Sequence, residues 1–147
     1  MLSNTCKYAV RAVIYLALNK NEEKKIGIKK ISEELNIPTP FLGKILQQLA
    51  KQKMLLSTKG PHGGFSIAMD PSDISLLDII KVVDGMDMFE MCLIGLNSCK
   101  SIHDKKLPCP IHDKFCKLRA DMYDMFKSET LKNIIDRIEN KDDYYLL

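Results

Sequence analysis

"GIKKISEELNIPTPFLGKILQQLAKQKMLLSTKGPHGGFSIAM", residues 27–69, is the stretch whose reading decides the fold. Ile28, Ile31 and Leu35 recur at helical spacing, and the pattern stops at Asn36, Ile37 and Pro38. Pro40 then sits in the first turn of another helix, where a missing N–H is tolerated, and Phe41, Leu42, Ile45, Leu46 and Leu49 form its apolar stripe. Two short helices joined by "LNIPTP" have the dimensions of a helix-turn-helix, and Lys44, Gln47, Gln48 and Lys51 set polar groups around the second. "MLLSTKG" and "GFSIAM" follow as strand-like runs around Gly60, Pro61, His62, Gly63 and Gly64, the pattern of a β-hairpin wing. Glycines free the backbone from side-chain restrictions, so such a tip can come close to phosphates or a minor groove.

Upstream, Tyr8, Ala9, Ala12, Val13, Leu16 and Ala17 mark a first helix within "TCKYAVRAVIYLALNK". Downstream, "SLLDIIKVVDG" predicts a helix with Ser75 as its cap, Asp78 at the capping-box position and Gly85 at its end. A long helix is expected through "HDKFCKLRADMYDMFKSE", and "TLKNIIDRIENK" gives a final one with Leu131, Ile134, Ile135 and Ile138 on its apolar face. Phe115, Leu118, Met122, Met125 and Phe126 recur along the long helix, which is expected to pack against its copy in a second subunit. The alternative is packing against the first helix of the same chain. The fold class expected is mainly α with a small β-hairpin wing: a winged helix-turn-helix with a long carboxy-terminal dimerisation helix. The expected division is 1–84 for DNA binding, 85–109 for a cysteine-containing sensor loop, and 110–147 for the dimerisation helix and a terminal helix that packs back.

The chain has 147 residues, enough for one modest core. Its charge is asymmetric: residues 1–70 carry eleven Lys or Arg against five acids, and the remainder eleven against fourteen. The basic half is the candidate DNA surface. No amino-terminal apolar run reads as a signal peptide, and no stretch approaches the roughly 18 apolar residues of a membrane span, so a cytoplasmic location without membrane contact is expected. Neither CxxC, a phosphate-binding glycine fingerprint nor HExxH is present, and an enzyme is not expected.

The opening "YAVRAVIYLA", the helix-turn-helix, the wing "KGPHGGFSIA", the helix "SLLDIIKVVDG", and "CPIHDKFCKLR" with "TLKNII" together resemble one bacterial family over nearly the whole chain. It is the winged helix-turn-helix family that includes the iron-sulfur cluster assembly regulator, the nitric-oxide-sensing repressor and the cysteine-metabolism repressor. The resemblance implies a homodimeric transcription factor, expected to be a repressor, bound to a palindromic operator in double-stranded DNA. Thr39, Pro40, Lys44 and Gln47 match the start and exposed face of the recognition helix, where Lys44 would meet a guanine edge or a phosphate and Gln47 an adenine. Lys59, Gly60, His62 and Gly63 match the wing; several relatives carry arginine where this chain has Lys59.

Four of the five cysteines fall between Cys92 and Cys116. By the resemblance, Cys92, Cys99 and Cys109 correspond to the three thiolate ligands of an iron-sulfur cluster, expected as [2Fe-2S], with His112 the candidate fourth ligand. The spacing C-x6-C-x9-C is longer than in the assembly regulator. In the nitric-oxide sensor the fourth ligand is an acid near the partner's amino terminus, where this chain has Tyr8 with Cys6 close by. Three alternatives stand beside the cluster sensor of redox, nitric oxide or iron-sulfur status: a metal-free thiol-responsive or partner-regulated factor; a zinc site of Cys109, His112 and Cys116 with Cys92 or Cys99, the first three converging if the helix begins near Pro110; and a winged protein adaptor that does not bind DNA. Cys116 has no ligand counterpart in the family pattern and is expected to be buried in packing.

Overall fold

The computed structural model describes residues 1–20, 24–98 and 109–139. Helix α1 (Asn4–Leu18) is capped by Ser3, whose side chain accepts the Cys6 N–H, and it buries Ala9, Ala12, Val13 and Leu16. α2 (Ile28–Leu35) ends at Asn36 in the left-handed region at φ 52°, a conformation that asparagine tolerates at a helix end. The turn into α3 (Thr39–Lys51) is locked by side chains. Ser32 Oγ donates to the Ile37 carbonyl at 2.6 Å, and Thr39 Oγ1 donates to Ser32 Oγ at 2.9 Å.

Leu42, Ile45, Leu46 and Leu49 of α3 enter the core, as their spacing predicts. Phe41 does not: it is 62% exposed, so the expected stripe is one residue too wide. The reason is angular, because the core covers only the face shared by the other four, and Phe41 lies at the edge of that arc. Gly43 lets α2 approach, since a Cβ there would stand 3.3 Å from Ile28 Cδ1.

β1 (Leu55–Thr58) and β2 (Gly64–Ile67) form an antiparallel hairpin with Leu55 opposite Ile67 and Thr58 opposite Gly64. Phe65 exchanges two backbone hydrogen bonds of 2.9 Å with Ile26, which pins the wing to the segment before α2. After a short 3-10 turn at Pro71–Asp73, α4 (Leu76–Val83) opens with the predicted capping box. Ser75 Oγ accepts the Asp78 N–H while Asp78 accepts the Ser75 N–H. Gly85, at φ 77°, follows its end.

A one-turn helix α5 (Asp87–Glu90) was not expected from the pattern and interrupts the stretch read as loop. α6 (His112–Ser128) is the long helix, and α7 (Leu131–Glu139) closes the described fold. α6 rests on α4 and α5, with Phe89 of α5 edge-on to Tyr123 and Phe126, while α7 packs on α1 through the buried Leu131 and Ile135. No residue of α6 is fully buried, and Leu118 and Met125 are 56% and 52% exposed. The architecture is mainly helical, with a two-stranded wing and a long carboxy-terminal helix.

Candidate nucleic-acid interface and cysteine region

The recognition helix is held from both sides. On one, Gln48 Nε2 donates to the Val82 carbonyl of α4 at 2.7 Å; on the other, Gln47 Nε2 donates to Ser57 Oγ of the wing at 3.2 Å. Of the polar residues around α3, Gln48 is therefore turned toward α4, whereas Lys44 and Gln47 share the exposed face with Pro40. Thr39 is half-buried and committed to the turn through Ser32. Sequence reasoning gave Ser57 no part, yet it links helix to wing; a serine at the end of a strand run carries no signal of such a contact.

Lys59, Gly60, Pro61 and His62 are exposed at the wing tip. Gly60 adopts φ 104°, where L side chains are strained, and its carbonyl accepts the Gly63 N–H at 2.9 Å. Gly63 has an intrachain reason for lacking a side chain: a Cβ there would lie 2.2 Å from the Thr58 carbonyl oxygen. The hairpin thus needs glycine at this position whatever the wing touches.

The cysteines divide. Cys6 is wholly buried in α1, and desolvation followed by the Asp84 charge pushes its thiol up to about 12. In the unfolded chain the thiol ionises near its ordinary value of 9.0, so the folded state holds the proton longer. The contribution to stability is complete below that value and is lost as pH rises toward 12. Replacing Cys6 with alanine is expected to flatten the alkaline decline by about 1.4 kcal/mol per pH unit above 9. Urea titrations of both proteins from pH 8 to 10.5 check this, and parallel declines would refute it.

Cys92 is buried, its N–H bonded to the Asn97 carbonyl at 3.1 Å, beside an apolar cavity of about 600 Å³ shared with Phe115 and Met122. Cys99 lies outside the described residues. Cys109 is half-buried, and its carbonyl accepts the His112 N–H at 2.9 Å. α6 begins at His112, two residues past Pro110, and brings together two of the three side chains expected to converge. The Cys116 sulfur stands 3.5 Å from His112 Nε2, one helical turn away, while Cys109 is tied in through its backbone.

Among the described residues no three His, Cys, Asp or Glu side chains gather as a metal site. The soft sulfur donors suit a cluster chemically. What the described geometry contains is the Cys116 pair with His112, not a ligand set. Cys116 is half-buried like Cys109, and it accepts from Arg119 Nη2 at 3.3 Å. Arg119 Nη1 donates in turn to the Met91 carbonyl at 3.0 Å, beside Cys92. Met86, Phe89, Glu90 and Tyr123 line the adjoining cavity of about 450 Å³.

Among the described residues no helix is long and apolar enough to cross a membrane. Residues 2–137 match the family model Rrf2, described as an iron-dependent transcriptional regulator. The chain is 38% identical over 141 residues to a protein of Aquifex aeolicus described as an HTH-type transcriptional regulator, covering 96% of this chain and 94% of that one. It is similar in fold to CymR (YrzC), the global cysteine regulator of B. subtilis, with a TM-score of 0.75 and 19% identity over 93% of this chain and 97% of that chain. IscR of T. potens aligns with a TM-score of 0.68 and 24% identity over 98% and 93% of the two chains. The helix-turn-helix, the wing and the match across residues 2–137 lead to one conclusion: this chain belongs to the Rrf2 family of DNA-binding transcriptional regulators, which are not catalysts.

Proposed function

We propose that the chain is a homodimeric repressor that binds a palindromic operator in double-stranded DNA and responds to thiol chemistry without a metal. The observation that carries the sensing part is the linkage from Cys116 through Arg119 to the Met91 carbonyl. Pro40, Lys44 and Gln47 would face the major groove, with Thr39 holding the turn that aims the helix, and Lys59, Gly60, His62 and Gly63 the backbone or minor groove. The exposed Leu118 and Met125 on α6 favour a second copy as the covering partner, which would set two recognition helices against two half-sites.

Oxidation of Cys116 by a peroxide transfers one oxygen to sulfur and releases water, giving a sulfenic acid. The added oxygen is a stronger acceptor than the thiol and lies beside the Arg119 guanidinium, where it competes with the Met91 carbonyl for the same donors. Hydrogen peroxide is expected to weaken operator binding about ten-fold, reversibly with dithiothreitol, and Cys116→Ser to abolish the response. A response that persists in Cys116→Ser would move the sensor to another cysteine, and no response in the wild type would remove the thiol reading.

A second reading is favoured by the family description as iron-dependent. Here Cys92, Cys99 and Cys109, with His112 as the fourth donor, would hold a [2Fe-2S] cluster, which supplies reactivity toward oxygen or nitric oxide when bound. Iron, acid-labile sulfide and zinc measured on anaerobically purified protein separate the readings. Stoichiometric iron and sulfide would replace the metal-free reading with the cluster, and zinc alone would indicate a structural metal.

A further inference from the structure

We propose that Phe41 is a base-reading residue whose ring packs against the 5-methyl group of a thymine in the major groove. The inference rests on the operator-binding reading above and adds the chemistry of one contact. Helix α3 holds the recognition position of the helix-turn-helix, and the leading residues of such a helix are those that reach base edges. Phe41 stands in its first turn, its N–H bonded to the Pro38 carbonyl at 3.1 Å, so backbone geometry fixes where the side chain starts.

The ring has no part in the core. It is 62% exposed, while Leu42, Ile45, Leu46 and Leu49 beside it are at most 2% exposed. The ring–ring contacts of the described residues join Phe89 to Tyr123 and to Phe126, not to Phe41. A single exposed apolar side chain is ordinary on a protein surface, so the weight falls on where this ring stands, in the first turn of the helix that reaches base edges. Lys44 is exposed one turn further on, and this pairs a cation with the ring at the leading end of the helix. The major groove carries one apolar feature on its base edges, the thymine methyl, amid acceptors and phosphates that suit a lysine. The pairing of Phe41 with Lys44 therefore selects a thymine next to a guanine or a phosphate.

The test begins with wild-type protein enriching a duplex from a randomised pool of roughly 30 base pairs at fixed salt, long enough for two half-sites. Each thymine of the enriched half-site is then replaced by deoxyuridine, which removes the methyl group alone. At one position the replacement is expected to weaken wild-type binding about four-fold per half-site, the burial of one methyl, and to leave the Phe41→Ala affinity unchanged. Against the unmodified duplex, Phe41→Ala is expected to bind about 16-fold more weakly, about four-fold in each half-site, with an unaltered melting temperature. The proposal is overturned by wild-type indifference to deoxyuridine at every position, by deoxyuridine sensitivity that survives Phe41→Ala, or by an enriched half-site without thymine. If the wild type enriches no sequence, the operator reading itself fails, and this contact with it.

Discussion

Gly64→Ala is expected to lower stability by about 3 kcal/mol, a fall of roughly 6–12 °C in the melting midpoint for a chain of this size. The added methyl carbon would lie 2.5 Å from the Ile26 carbonyl oxygen, 2.6 Å from the Ile26 carbonyl carbon and 3.0 Å from Gly27 N. All three are backbone atoms, so no side-chain rotation can relieve the overlap. Strand β2 or the segment before α2 must move, and the two hydrogen bonds between Ile26 and Phe65 hold that pair together. Ile26 and Phe65 are 2% and 6% exposed, so separating them opens the core beneath the wing. Gly60→Ala supplies the contrast. Its added carbon meets open space, and the cost is confined to backbone strain at φ 104°, about 1 kcal/mol. Thermal melting of the two variants by circular dichroism checks the ranking; equal midpoints would show that the wing yields more easily than its backbone packing implies.

Lys44→Glu is expected to weaken operator binding about 100-fold, or about 2.7 kcal/mol. Lys44 is exposed on α3 beside Gln47, which Ser57 of the wing holds in place. Reversal removes a cation from the groove and sets a carboxylate against phosphates, once in each half-site of a dimer. The side chain lies outside the core, so melting should be unaltered. Lys44→Ala then separates the two contacts open to the lysine. If it meets a phosphate, binding weakens evenly across sequences and the salt slope falls by about one; if it meets a guanine, discrimination at one base pair relaxes. Unchanged affinity in Lys44→Glu, measured by fluorescence anisotropy, would take Lys44 out of the interface.

Much of this molecule is legible in its amino-acid sequence. The helix-turn-helix followed from the spacing of Ile28, Ile31 and Leu35 and of Leu42, Ile45, Leu46 and Leu49. The wing followed from two short runs around a glycine-rich turn, and the α4 capping box from Ser75 and Asp78. The exposure of Phe41 was not legible, because an apolar residue at the edge of a stripe looks the same whether or not the opposing surface extends far enough to cover it. Nor was the difference between Gln47 and Gln48, adjacent and chemically identical, whose partners come from the wing and from α4. The candidate site was only partly readable: the family resemblance nominated cysteines by order, whereas Cys116 acquires its surroundings from where α6 begins and from how Arg119 reaches back to Met91.

By itself the sequence determined the elements, their order and the chemistry available on each, since periodicity, caps and turn residues act within a few positions along the chain. Tertiary structure alone decided which faces stay open and which glycines are sterically required. It gave Gly64 its reason in the backbone of Ile26 and left Phe41 outside the core. The physical cause is range: hydrogen-bonded helices and hairpins are specified locally, but the burial of any one side chain depends on elements dozens of residues away, whose approach is set by close packing of the whole core.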